Sequence, residues 1–354
     1  MTQLPADSTP VAKQQFDLPY VADPGRYEAG GAHYRRSGRS GLMLPAMSLG
    51  LWQNFGDERP RGTQREILRT AFDLGITQFD LANNYGIPYG AAEANFGYHY
   101  DHDFRAYRDE IIVTSKAGYD MWPGPIGAGG GGRKYMLASL DQSLARLHMD
   151  YVDIFYHHRP DPDTPVEEPI MALDQAVRSG RALYAGLSNY TPEQTREAMA
   201  IAREIRLPLV IHQPRYNMLD RHIEDGMIET ADELGLGLAV FSPLAQGLLT
   251  AKYLGDTAPE GSRMTMQRYL ESDTLTPERL EHLRALNDLA GDRGQTLAQM
   301  ALAWILRDPR ITTVLAGASS AQQLRDSVQA LDNLAFTDDE LAVIDQHSLA
   351  ARLD

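Results

Sequence analysis

From Pro45 to the C-terminus, short apolar runs alternate with longer stretches of helical period. The runs are AMSLGLW, ITQFDLA, EIIVTSK, YVDIFYHH, RALYAGLSN, LPLVIHQPRYN, LGLAVFSPLAQG and ITTVLAGAS, each followed by helical sequence. In TQREILRTAFDLG the apolar residues are Ile67, Leu68, Ala71, Phe72 and Leu74, with Gly75 placed to end the helix. KYMLASLDQSLARL carries Met136, Leu137, Leu140, Leu144 and Leu147 along one face. Thr164 is placed as N-cap of TPVEEPIMALDQAVRSG, with Pro165 at its first position and Glu167 three residues on from the cap. Thr191, Pro192 and Glu193 repeat that opening. Regular alternation of strand and helix specifies a parallel sheet covered by helices. Eight repeats specify an α/β fold of the (β/α)8 TIM-barrel kind, whose site lies at the C-terminal ends of the strands. The rival, an open doubly wound sheet, requires a phosphate-binding glycine turn directly after a strand.

The 354 residues suffice for one such barrel. Residues 1–30 are polar and rich in Pro, Gly and Asp and read as a poorly ordered arm; residues 31–354 read as a single domain. At its start, two extended pieces flank Ser37-Gly38-Arg39-Ser40-Gly41, which is turn chemistry for an N-terminal β-hairpin. A net charge of −15 disfavours nucleic acid and anionic membrane as partners, since both need a basic face. Without cysteine there is no disulfide, thiolate nucleophile or Cys-ligated metal. No run is long and apolar enough to span a membrane, and MTQLPADSTPVAKQQFDLPY lacks a secretory apolar core. These features fit the cytoplasm.

The chemistry gathers at three successive strand ends. FDLANNYG puts Asp80 at the end of one apolar run and Tyr85 in the loop above it. EIIVTSKAGYD ends in Lys116, and YVDIFYHHRPD ends in His157 and His158. A phenol, with its ordinary pKa of about 10, is a poor proton donor at neutral pH unless a neighbouring cation favours the phenolate. Lys116 is placed to be that cation, with Asp80 keeping it charged. His158 is placed to hydrogen-bond a carbonyl oxygen, and Tyr85 to protonate it as hydride arrives from a nicotinamide. Adjacent histidines on a strand face opposite ways, so His157 and His158 do not read as one metal site, and no metal is expected. Taken singly, each residue has a duller reading as cap, packing or ion pair. Their joint placement at consecutive strand ends carries the argument.

GAGGGG, Gly127 to Gly132, matches the glycine pattern of a dinucleotide turn, but a long loop separates it from the strand ending at Lys116. It reads either as a plain loop or as the lead-in to a helix whose free amides, with Arg133 and Lys134, hold an anion.

FDLANNYG, TSKAG and YHHRPD resemble the catalytic segments of the aldo-keto reductases. SLGLW, GLSNY, IHQPRYN, FSPLAQGLL and LAGASSAQQL follow in that family's order, so the resemblance runs from about Tyr34 to Asn333. GYDMWPGP and the glycine loop resemble a bacterial branch that reduces L-glyceraldehyde 3-phosphate and is related to potassium-channel β subunits. The resemblance implies a catalytic tetrad of Asp80, Tyr85, Lys116 and His158. It implies that Ser188, Asn189 and Gln213 hold the nicotinamide carboxamide, alongside Trp52 and Asp80. It further implies that Ser242, Leu244 and Gln246, with Lys252 and Arg263 beyond, follow the pyrophosphate, and that Gly317, Ser319, Gln323 and Asp326 surround the adenosine end. By family habit the cofactor is NADPH; Lys252, Arg263 and Arg325 are the cations available to a 2′-phosphate. Trp52, Tyr85, Trp122 and His158 are expected to line the substrate mouth.

Two departures from the family pattern stand out. Ser327 replaces an Asn often found at the adenine, and Leu51 replaces a Thr before the early Trp. Channel β subunits tend to carry Asn at the position of His158, so the histidine here resembles that of a working reductase. The expected activity is NADPH-dependent reduction of small aldehydes, L-glyceraldehyde 3-phosphate or methylglyoxal among them. Relatives of this branch form tetramers or octamers, which implies a homo-oligomer. Two other readings stay open: a cofactor-sensing binding module like the channel subunits, and a barrel hydrolase or isomerase that uses no nicotinamide.

Overall fold

The computed structural model describes residues 19–28, 31, 33–255 and 275–352. A two-stranded antiparallel hairpin, β1 (Tyr34–Arg36) and β2 (Met43–Pro45), precedes the barrel. The barrel strands are β3 (Met47–Gly50), β4 (Gln78–Asp80), β5 (Ile112–Ala117), β6 (Val152–His157), β7 (Ala182–Ser188), β8 (Leu209–Gln213), β9 (Gly237–Val240) and β10 (Ile311–Ala316). They close in sequence order, every pair parallel, with β10 returning to β3. Around them lie α1 (Arg61–Asp73), α2 (Ala91–His99), α3 (Arg133–Leu147), α4 (Glu167–Arg178), α5 (Pro192–Ile205), α6 (Met227–Leu234), α7 (Pro277–Asp292), α8 (Leu297–Leu306), α9 (Ala321–Val328) and α10 (Asp338–Ala350). The eight-stranded α/β barrel and its leading hairpin are therefore as expected. No helix among the described residues is long and apolar enough to cross a membrane.

Two apolar layers hold the strands. Outside, Phe79 of β4 meets Phe96 of α2 at 5.3 Å and Phe104 at 5.8 Å, and Phe104 meets Phe72 of α1 at 5.9 Å, ring to ring. Each such buried ring contributes about 1.5–3 kcal/mol relative to an exposed one. Inside, Leu44 of the hairpin packs with Ile154, Tyr156, Val210, Ile211 and Ala239. Ser37 donates to the carbonyl of Val210 (3.0 Å), and a Cβ on Gly237 would meet Ser37 Oγ at 2.4 Å. The hairpin thus packs at the N-terminal end of β9, away from the strand ends that carry chemistry. Residues 19–28 dock beside α1: Tyr20 donates to Asp73 (2.6 Å), and the amide of Ala22 donates to Tyr107 (2.9 Å).

Two helix starts that look alike in sequence differ in structure. Thr191 caps α5 in a reciprocal box with Gln194 and with Pro192 in the first turn. Thr164 does not cap α4. That helix begins at Glu167 after Val166, and the Thr164 hydroxyl donates instead to Asp161 (2.6 Å). Asp161 also accepts from the amide of Gly131 (2.8 Å), so Thr164 helps tie the loop after β6 to the glycine stretch.

Candidate active site

Side chains alternate across a strand, so register decides which residues meet inside the barrel. Asp80 pairs with Thr114, Lys116 with Tyr156, and Ser188 with Gln213. This brings residues from β5 and β8 onto the one carboxylate that ends β4. Asp80 Oδ2 accepts from Lys116 Nζ at 2.7 Å; its Oδ1 accepts from Thr114 Oγ1 at 2.8 Å and Gln213 Nε2 at 3.0 Å. Lys116 also donates to the carbonyl of Leu81 at 2.6 Å. Asp80 is 2% exposed and Lys116 is not exposed at all. A buried pair of this kind needs partners beyond the pair itself, and here both Asp80 oxygens and two of the three Lys116 N–H groups have one. Burial lowers the proton affinity of Lys116, with the attraction of Asp80 acting against it.

Tyr85 lies half-buried in the loop above β4, its ring centroid 4.8 Å from Lys116 Nζ. Trp52 stands 6.3 Å away, and the imidazole of His158 meets the ring edge-on at 5.8 Å. The loop turns sharply at Gly86, where φ is +82° and an added Cβ would lie 2.6 Å from the amide of Ala92. Glycine is required there. The sequence reading expected Lys116 to lower the phenol's pKa. The opposite holds: burial first, then the Asp80 carboxylate and Tyr119, push it well above its ordinary value. Lys116 spends two of its N–H groups on Asp80 and the Leu81 carbonyl, and its charge does not outweigh burial and Asp80 at the phenol. Tyr85 is a phenol that keeps its proton.

His158 is buried, and its amide donates to Ala117 (2.9 Å). Burial foremost, then Lys116, His157 and Arg159, hold its pKa well below the usual imidazole value. The ring is neutral at neutral pH, which suits a hydrogen-bonding role better than a charged one. Among the described residues its Nδ1 has no hydrogen-bond partner. His157 faces the other way and bonds Tyr190 through Nδ1 at 2.6 Å.

The predicted carboxamide trio is one connected unit. Ser188 donates to the carbonyl of Gln213 (2.7 Å), and Asn189 donates to Ser188 Oγ (3.1 Å) and to the carbonyl of His158 (3.1 Å). Through Gln213 the trio reaches Asp80. Asn189 sits at φ +62°, a left-handed backbone that asparagine tolerates better than most residues. Farther along, Ser242, Ala245 and Gln246 all have positive φ, making a tight turn above β9 in which Leu244 is half-buried. Lys252 is exposed, and Arg263 lies outside the described residues. Gly317 sits beside Gly50, where a Cβ on either would meet nothing closer than 3.8 Å. Gln323 accepts from the amide (2.9 Å) and hydroxyl (2.8 Å) of Ser319, while Asp326 is exposed and accepts from Gln322 (2.7 Å). Ser327 turns inward and donates to the carbonyl of Gln323 (2.8 Å). Open backbone at Gly50 and Gly317, strained polar turns and an amide-matching trio fit an extended dinucleotide.

Sequence reasoning missed three parts of the site. Thr114 and the Leu81 carbonyl complete the Asp80–Lys116 pair; Thr114 was visible only as the residue two before Lys116, on the same strand face. Tyr119 meets His158 edge-on at 4.7 Å. Trp122, expected at the mouth, rests on Tyr135 at 5.4 Å, and a Cβ on Gly127 would strike it at 2.3 Å. The glycine stretch does not present a free anion site. Asp161 takes the amide of Gly131, and Glu168 takes that of Arg133 (2.8 Å). The chain's own carboxylates occupy the helix start.

A parallel barrel with this constellation at its C-terminal end defines an oxidoreductase that handles a carbonyl. Residues 46–349 match the Aldo/keto reductase family, and the chain belongs to that family. It is 56% identical over 333 residues to the L-glyceraldehyde 3-phosphate reductase of Escherichia coli (strain K12), covering 93% of this chain and 95% of that protein. It is also 35% identical over 304 residues to a probable voltage-gated potassium channel subunit beta of Oryza sativa subsp. japonica, covering 84% of this chain and 91% of that one. The family uses nicotinamide cofactors.

Proposed function

We propose that this enzyme reduces small aldehydes with NADPH, L-glyceraldehyde 3-phosphate foremost and methylglyoxal as a second substrate. The observation that carries the reading is the contact set of Lys116: 2.7 Å from Asp80 and 4.8 Å from the ring centroid of Tyr85, at the open end of the barrel. When bound, the cofactor supplies hydride to the carbonyl carbon. Tyr85 gives its proton to the oxygen. Even with its pKa raised, the phenol can serve as the acid here, because the oxygen that receives the hydride's negative charge becomes a strongly basic alkoxide. Neutral His158 donates to the same oxygen and fixes its direction. Lys116, bound to Asp80, stabilises negative charge as it reaches the Tyr85 oxygen. Ser188, Asn189 and Gln213 hold the carboxamide and so set which face of the ring is offered. Lys252 and Arg325, both exposed, are the described cations for the 2′-phosphate, with Arg263 as a further candidate. Trp52 and Trp122 are assigned to the substrate mouth. The protein is expected to work in the cytoplasm as a homo-oligomer, a tetramer or octamer, which light scattering tests.

Kinetics with both aldehydes, each with NADPH and NADH, test the rest. The reading requires kcat/KM with NADPH to exceed that with NADH, and L-glyceraldehyde 3-phosphate to be a better substrate than methylglyoxal. Absence of turnover with either aldehyde contradicts it.

A further inference from the structure

The anion site that the sequence suggested at the start of α3 is closed by Asp161 and Glu168. Arg159, the residue after His158, offers a cation in a different place. It is half-buried at the C-terminal end of β6. Its Nε donates to the carbonyl of Gly118 at 2.8 Å, and its guanidinium lies 4.3 Å from the centroid of Tyr119. Tyr119 in turn meets His158 edge-on at 4.7 Å. A Cβ on Gly118 would stand 2.9 Å from His158 Cβ, so the missing side chain lets the two loops approach closely enough for this contact.

Among the described residues no carboxylate pairs with Arg159. Several other half-buried arginines in this acidic chain are matched by carboxylates, Arg65 and Arg69 with Asp103, Arg108 with Asp153, Arg146 with Glu93, while Arg35 spends its guanidinium on the carbonyls of Leu306, Asp308 and Ile311. Asp161, two residues on, is already taken by Thr164, Gly131 and Asp163. A guanidinium anchored through Nε and stacked on a ring keeps its two terminal amines as a rigid fork. That fork suits two oxygens of a phosphate or carboxylate.

We propose that Arg159 forms a substrate anion subsite, which binds the phosphate of a short phosphorylated aldehyde whose carbonyl lies at Tyr85 and His158. This deepens the aldehyde-reductase reading and rests on it. Tyr119 holds the guanidinium plane, and the Gly118 carbonyl sets its direction.

The test compares wild type, Arg159→Gln and Arg159→Lys on L-glyceraldehyde 3-phosphate and on uncharged L-glyceraldehyde at saturating NADPH. The selectivity for the phosphorylated aldehyde, as a ratio of kcat/KM values, should fall about 30-fold or more in Arg159→Gln, chiefly through KM. Arg159→Lys should restore part of it. Inorganic phosphate should inhibit wild type competitively with uncharged aldehyde, and at least about tenfold more weakly in Arg159→Gln. Equal losses on both aldehydes would assign Arg159 to loop fastening alone and overturn the subsite. If wild type reduces neither aldehyde, the reductase reading fails. The subsite is then judged by inorganic phosphate titrated against the Arg159 Nε–H resonance: a saturable shift supports it and no shift overturns it.

Discussion

Lys116 is buried with one carboxylate and one carbonyl, so replacing it changes stability as well as chemistry. Lys116→Met leaves Asp80 charged inside the barrel with only Thr114 and Gln213 for partners. Loss of one member of a buried ion pair costs about 3–5 kcal/mol, and urea unfolding should register it. Adding Asp80→Asn to that variant should recover part of the loss, because a neutral amide removes the stranded charge; a fully additive double mutant contradicts the coupling. Four residue types at three strand ends made this site legible in sequence. The direction of the Tyr85 pKa was not legible, because it turns first on the burial of the phenol and then on the Asp80 carboxylate and Tyr119. Tyr119 escaped notice for a similar reason: a loop tyrosine carries no pattern until the fold sets it on His158.

At the scale of elements, periodicity exposed the strands and helices, and the turn residues between Ser37 and Gly41 marked the hairpin. Identical Thr-Pro openings still led to different ends. Thr191 caps its helix, so Thr191→Ala should cost about 0.5–2 kcal/mol in thermal or urea unfolding. Thr164 caps nothing, and Thr164→Ala should act on the loop contact with Asp161. Its signature is faster amide exchange at Gly131, a change that Thr191→Ala should not produce. Of the two readings of the glycine stretch, the anion site fails for the same physical reason, and the plain loop stands. Asp161 and Glu168 lie beyond α3 and β6, and only tertiary structure brings them to those amides.

Across the whole molecule, four buried histidines among the described residues refuse protons: His158 at the site, and three more on separate elements. Burial foremost holds His99 and His157 at pKa values of about 4 and His212 at about 3, against an ordinary value of 6.5. Their folded values are depressed, so between pH 4 and 6.5 the unfolded chain binds protons that the native chain does not. Stability is therefore full above the unfolded value and falls as pH drops through that window, by about 1.4 kcal/mol per pH unit for each histidine. Urea midpoints from about pH 7.5 to about pH 5 should show the decline. His99→Gln should flatten it by one histidine's share; an unchanged slope contradicts the assignment. None of this was legible in sequence, where a histidine beside a helix or strand gives no measure of its burial.

The central claim is that Tyr85 supplies the proton, and it is tested most directly by kcat for L-glyceraldehyde 3-phosphate in Tyr85→Phe, with NADPH affinity measured by fluorescence titration. The account predicts a kcat lower by about 10²–10⁴-fold, with cofactor still bound, since the ring and its contacts with Trp52 and His158 remain. A phenylalanine variant that reduces the aldehyde as fast as wild type would contradict it.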